Sequence, residues 1–142
     1  MNHSILLKKL EHYGVRGISL EWFKNYLSGR QQFIQIGTNK STCSSIQCGV
    51  PQGSILGPLL FLVYINDLQN SLIYGSSRLV ADDTNIIYSG NNVDTLKHNA
   101  ETDLVWLIDW FHINKLALNL TKSNYTVIFP KNMKIQSDFN IM

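Results

Sequence analysis

The sequence predicts an α+β fold in which helices pack on one face of an antiparallel sheet. Three observations carry that expectation. A long stretch with helical apolar periodicity follows Asn92, two short aliphatic runs flank an acidic step at Asp82-Asp83, and turn residues separate every periodic segment. The element order reads helices, strands, helix, hairpin, helix, strand.

Ser4 is expected to cap a first helix running to about Tyr13, with Gly14 stopping it. Ser19 is expected to cap a second, from Leu20 to Leu27, whose Leu20, Phe23 and Leu27 form an apolar stripe. Gly29 suits a left-handed end to that helix. Gln31 to Gly37 reads as a strand, Asn39 and Lys40 as its turn, and Thr42 to Gln47 as the returning strand. Pro58 fits the first turn of a helix, where its missing N–H costs nothing. That helix, from Leu59 to Leu68, is apolar nearly all round and is expected to be buried.

Arg78 to Ala81 and Asn85 to Tyr88 read as two strands joined by Asp82-Asp83-Thr84. Asn92 is expected to cap the longest helix, from Val93 to about Ile113. Its Leu96, Ala100, Leu104, Leu107 and Phe111 recur every three or four residues, and Asp94 in its first turn suits the helix dipole. Tyr125 to Phe129 reads as a last strand ended by Pro130. Residues 1–130 are expected to form one partial domain, and 131–142 a loose polar tail.

Composition bounds the function. Of 142 residues, 44% are hydrophobic, enough for a core, whereas only 15% are charged; about 25% is typical of a soluble domain. A surface so poor in charge suits a piece that leans on a neighbouring domain. The net charge of +2 is unevenly spread. Residues 1–40 hold six basic and two acidic side chains, while the remainder holds six and eight. A basic first part suits a phosphate-facing surface as well as a solvated helix face. Cys43 and Cys48 have no metal or disulfide spacing and read as buried or partly buried free thiols of a reducing compartment. The four histidines show no ligand spacing, so no zinc site is expected. Trp22, Trp106 and Trp110 read as core or subdomain-interface residues rather than base-stacking platforms. The start has no signal-peptide pattern, and the apolar run Leu59 to Ile65 is too short to span a bilayer. An intracellular protein without a membrane partner is expected, in nucleus or cytoplasm.

Two segments carry chemistry. A hairpin turn brings adjacent carboxylates to its tip, where like charges cost energy unless water or a cation relieves them. Mg²⁺ is held by one or two carboxylates with substrate phosphates completing its shell, so Asp82 and Asp83 suit a two-metal clamp for phosphoryl transfer. Taken alone, such a pair is far more often a solvated turn, since aspartate is a common turn residue. The second segment runs from Gly49 to Pro58 and contains Pro51-Gln52-Gly53. Glycines permit close backbone approach, Gln52 offers a donor and an acceptor, and a helix N-terminus follows. It lacks the Lys-Ser/Thr ending of a P-loop. A structural loop before a buried helix would look the same by composition.

Four blocks, WFKNYLSGRQQFIQIG, CGVPQGSILGPLLFLVYINDL, VADDT and WFHINKLALNLTKSNYTVIF, stand in that order and together resemble non-LTR (LINE-like) retrotransposon reverse transcriptases. The resemblance runs from Met1 to about Phe129. It implies the palm-type antiparallel sheet of a right-hand polymerase, two Mg²⁺ ions, an RNA template, a DNA primer and deoxynucleotides. Asp82 matches the metal-binding aspartate of the family's Ala-Asp-Asp box and Asp83 its partner. Pro51, Gln52 and Gly53 match the segment against the templating base and incoming nucleotide. Lys122 matches a lysine near the nucleotide phosphates.

Two departures stand out. Val80 replaces the aromatic residue expected before Ala-Asp-Asp. The family also places a further metal aspartate on a strand, in an F-x-D block that would lie just before Met1. Asp67, Asp94, Asp103 and Asp109 are not expected to stand in for it. The N-terminal metal-binding strand, most of the fingers and the thumb are thus expected to be missing, and the isolated chain to be inactive. A retrotransposon relic, or an RNA-binding module without catalysis, is the alternative.

Overall fold

Asn2 rather than Ser4 starts the first helix: its Oδ1 accepts from the Ile5 N–H at 3.2 Å. The computed structural model describes residues 1–51, 53–80 and 83–128; Gln52, Asp82, the end of the expected last strand and the tail from residue 131 lie outside them. The chain comprises two units, Met1–Asn66 and Asp67–Met142.

In the first unit, α1 (His3–His12) and α2 (Ile18–Leu27) precede four two-residue strands and α3 (Leu56–Ile65). Asn2 is extended and bridges to Cys48, which is why the helix begins just after it. Gly14, at φ 93°, ends α1 as expected, with the Val15 N–H reaching back to the Leu10 carbonyl at 2.9 Å. Ser19 does not cap α2. Gly17, at φ 58°, already turns the chain, so the helix begins at Ile18 with no side-chain cap. Gly29 is left-handed after its end, at φ 66°.

Leu6, Leu10, Leu27, Leu60, Tyr64 and Ile65 are buried and form this unit's core, where α1 packs against both other helices. Pro58 sits in the first turn of α3, as its lack of a donor predicts. The helix is not buried all round, however. Gly57, Leu60, Tyr64 and Ile65 lie inside, while Leu59 and Leu62 are 54% and 43% exposed. The α1 side covers one face only, so an all-apolar sequence does not make an all-buried helix.

The segment between α2 and α3 is a broken hairpin. β1 (Gln31–Gln32) pairs with β4 (Ser44–Ser45), and β2 (Gln35–Ile36) with β3 (Asn39–Lys40), all antiparallel. Ile36 pairs with Asn39, so the turn is Gly37-Thr38 and not Asn39-Lys40. Gly37 supplies the positive φ, 61°, that a two-residue loop requires. Every strand residue here is exposed. Cys43 and Cys48 are likewise free and exposed, contrary to expectation.

A 3₁₀ helix (Asn66–Ser71) begins at the last residue of the first unit and leads, in the second, to β5 (Ser76–Val80), β6 (Asp83–Ile87), α4 (Val93–Ile113) and a 3₁₀ turn (Leu120–Lys122). Leu68, Leu72 and Leu107 form its core, with Leu79, Ile86, Leu104, Trp110 and Phe111 packed against them. Asn92 caps α4 as expected, its Oδ1 accepting from the N–H groups of Asp94 at 2.8 Å and Thr95 at 3.3 Å. Trp110 joins the core, but Trp22 and Trp106 are each 53% exposed. Residues 125–128 form no strand.

Among the described residues the architecture is therefore α+β, with four α-helices and three two-stranded antiparallel sheets. Among them, too, no helix is long and apolar enough to cross a membrane.

Candidate functional site

Asp82 lies outside the described residues; the β5–β6 hairpin is the element that carries Asp83. Its ladder runs from Ser76–Ile87 to Val80–Asp83. Pairing reaches nearer the tip than the sequence suggests, so Asp83 and Thr84 are strand residues and not turn residues. Alternation then assigns the faces. Leu79 and Ile86 pack against the core; their partners Thr84, exposed, and Ser77, half-buried, share that face. Asp83 lies on the opposite face with Arg78, Val80, Asn85 and Ile87, all exposed. The Arg78 guanidinium is turned toward the hairpin base, where its Nη1 donates to Ser76 Oγ at 2.8 Å and the Ser77 carbonyl at 2.9 Å. Asp83 thus offers an open carboxylate at the last pair before the tip.

The base of the same hairpin is held from α4. Asp103, fully buried, accepts four hydrogen bonds from three successive N–H groups. Its Oδ1 takes Ile73 at 2.8 Å and Tyr74 at 3.3 Å. Its Oδ2 takes Tyr74 at 3.1 Å and Gly75 at 2.7 Å. Gln69 adds a second grip: its Nε2 donates to the Gly75 carbonyl at 3.1 Å, and its Oε1 accepts from the Ser77 N–H. Burial, and next the negative charge of Asp103, push the Tyr88 hydroxyl well above the ordinary tyrosine range. Sequence reasoning placed Asp103 only inside a helix. The available signal was its position, three residues after Ala100 and four before Leu107 on the apolar stripe, where a carboxylate needs partners.

The glycine-rich segment belongs to the first unit. Gly49 is tied to the chain's start: its N–H donates to the Met1 carbonyl at 2.7 Å, and its own carbonyl lies 2.7 Å from His3 Nε2. Pro51 is half-buried and Gly53 exposed. Gly53 has φ 78° and open space where a Cβ would stand, so conformation and not crowding calls for glycine there. Ser54 Oγ accepts from the Gly57 N–H at 3.1 Å and satisfies one of the donors at the start of α3. A Cβ on Gly57 would lie 3.2 Å from that oxygen and 3.4 Å from Val50 Cγ2, so the loop folds closely over the helix start.

Lys122 stands in the last 3₁₀ turn of the second unit, exposed. Among the described residues no group of three or more histidine, cysteine, aspartate or glutamate side chains is arranged to hold a metal ion.

The model of the family described as reverse transcriptase (RNA-dependent DNA polymerase) matches residues 1–138. Two curated relatives come from Drosophila melanogaster. A probable RNA-directed DNA polymerase from transposon X-element is 31% identical over 105 residues, which cover 71% of this chain and 12% of the relative. A probable RNA-directed DNA polymerase from transposon BS is 30% identical over 106 residues, covering 70% of this chain and 11% of the relative. The chain therefore spans only a small part of the length of these relatives. No solved structure matches it. A family match over nearly the whole chain, joined to four sequence blocks in order, has one meaning: the chain belongs to the reverse transcriptase family.

Proposed function

We propose that this chain is the part of a non-LTR retrotransposon reverse transcriptase that carries the acidic hairpin and the nucleotide-side loop. In this reading residues 1–130 form a partial fingers and palm domain, and the β5–β6 hairpin belongs to a palm-type antiparallel sheet. The primer 3′ hydroxyl attacks the α-phosphate of a deoxynucleotide paired with an RNA template, and pyrophosphate leaves. Two Mg²⁺ ions, when bound, activate that hydroxyl and stabilise charge on the leaving group. Asp82 and Asp83 hold them, Pro51, Gln52 and Gly53 line the nucleotide and templating base, and Lys122 faces the phosphates.

The observation that carries the reading is the β5–β6 register, which closes at Val80–Asp83 and leaves the Asp83 carboxylate exposed. An exposed carboxylate is a hard oxygen donor of the kind Mg²⁺ takes. The family match and the polymerase relatives support it further. The family's F-x-D aspartate has no counterpart within these 142 residues, so the clamp needs a carboxylate from elsewhere.

The test is Mg²⁺-dependent extension of a DNA primer on an RNA template. The 142-residue chain alone is expected to give little or no product. A longer polypeptide that adds the F-x-D strand is expected to extend the primer. Asp82→Asn is expected to cut its rate about a thousandfold, the equivalent of several kcal/mol of lost charge stabilisation. Extension that survives both Asp82→Asn and Asp83→Asn would overturn the assignment. Salt-dependent RNA binding with no extension by the longer polypeptide would favour a binding module instead.

A further inference from the structure

We infer that Asp103 is a positioning residue for the acidic hairpin: by filling the N–H groups of Ile73, Tyr74 and Gly75, it fixes the β5–β6 register and with it the face on which Asp83 lies. The register claim stands on the geometry alone. Its link to metal holding rests on the function proposed above.

A two-stranded hairpin has little stability of its own. Here only Leu79 and Ile86 join the core from it; the outer face, including Val80 at 66% exposure, meets water. A one-residue slip moves every side chain to the other face, so something must set the pairing. Val80 and Asp83, the last pair before the tip, are both exposed and do not set it. The base does.

Asp103 grips the three N–H groups that lead into β5. Gln69 holds both the Gly75 carbonyl and the Ser77 N–H. Gly75 approaches β6 so closely that a Cβ would come within 2.7 Å of Ile86 Cγ2 and 2.8 Å of Tyr88 Cε1. The start of β5 and the end of β6 are thereby locked together on α4. From that base, five residues at about 3.3 Å each carry the chain to the Val80–Asp83 pair.

The test is amide NMR on the 142-residue chain, reading cross-strand pairing along β5–β6 and the line broadening of residues 80–84 by Mn²⁺. Asp103→Asn keeps the shape but turns an N–H₂ toward the donors of Tyr74 and Gly75. It is expected to abolish the Leu79–Thr84 and Val80–Asp83 pairing and the exchange protection of Tyr74 and Gly75, with α4 amides still protected. The Mn²⁺ midpoint is expected to rise about tenfold or more, as for other groups that orient a metal's ligands. Leu107→Ala removes a side chain of the same helix from the core against which Leu79 and Ile86 pack, and controls for lost packing. It is expected to keep both the tip pairing and the midpoint.

If Asp103→Asn retains the tip pairing and the midpoint, or Leu107→Ala abolishes them equally, the inference is overturned. If Asp103→Asn does not fold, Gln69→Ala decides. An unpaired tip on an intact α4 supports the clamp, and a tip that stays paired overturns it. Absence of Mn²⁺ broadening in the unsubstituted chain would count against the metal reading of Asp82 and Asp83, while the ladder pairing still decides the register.

Discussion

Gly75→Ala probes the hairpin base with a single methyl group. The new carbon would stand 2.7 Å from Ile86 Cγ2, 2.8 Å from Tyr88 Cε1 and 2.9 Å from Tyr88 Cζ. Carbon atoms in contact prefer about 3.5–4.0 Å, so these atoms must each give most of an ångström. Neither side chain is free to do so. Ile86 packs against the core of the second unit, and the Tyr88 hydroxyl is enclosed beside the Asp103 charge. The Gly75 N–H is meanwhile bound to Asp103 at 2.7 Å, which keeps the backbone from backing away. Overpacking of this kind costs about 1–3 kcal/mol. In a domain of 60–100 residues each kcal/mol lowers the melting temperature by roughly 4–8 °C. Thermal unfolding by circular dichroism, with amide exchange along β5–β6, measures it. Gly90→Ala is the comparison, because its Cβ would meet only the Leu96 side chain, at 3.2 and 3.5 Å. A Gly75→Ala chain as stable as the original, with its ladder protected, would refute the reasoning.

Two further outcomes follow from single groups. Asn92→Ala strips the N-terminal donors of α4 of their partner and is expected to cost about 1 kcal/mol, read as a lower urea midpoint, with Asn92→Asp retaining most of the stability. Burial and the Asp103 charge raise the Tyr88 pKa above the ordinary value of 10.0. Above about pH 10 the unfolded chain sheds that proton while the folded chain keeps it, so stability falls as pH rises; below that pH the proton stays on in both states and Tyr88 contributes no pH dependence. Urea unfolding from about pH 8 to 11.5 spans that window, and Tyr88→Phe is expected to flatten the decline. An unchanged slope would refute it.

The parts of the fold that local chemistry decides were legible in the sequence. The spacing of Leu96, Ala100, Leu104, Leu107 and Phe111 located α4, and Asn92 caps it because its side chain can reach its own following N–H groups. Gly14 and Gly29 ended helices where a left-handed residue was required. The misses share another cause: the deciding partner is distant in sequence. Asn2 displaces Ser4 as cap because the chain enters from a bridge to Cys48. Leu59 and Leu62 stay exposed because only α1 covers α3 within its unit, which composition cannot reveal. Cys43 proved exposed because it lies in the 31–45 hairpin, whose strand residues are all exposed. In the candidate site, the hairpin was visible from its two aliphatic runs, but its register was not. Aspartate is at home in a turn and weak in a strand, so propensity put Asp83 and Thr84 at the tip, whereas the ladder extends as far as the Val80–Asp83 pair.

That contrast separates two carboxylates that the sequence writes with the same letter. Asp103 is fully buried, and both its oxygens are occupied by N–H donors from three consecutive residues. A carboxylate so satisfied has little to gain from a cation, and a cation at that place would have to displace donors, among them the buried Gly75 N–H, which would be left unpaired. Asp83 is exposed, on a strand face shared with side chains that do not enclose it. A divalent ion can approach an exposed carboxylate without stripping any backbone group of its partner. On the function proposed above, exposure is what leaves Asp83 available for metal chemistry, and burial is what lets Asp103 hold the chain that leads into β5. In that reading the hairpin needs both, because the exposed Val80–Asp83 pair contributes little packing of its own.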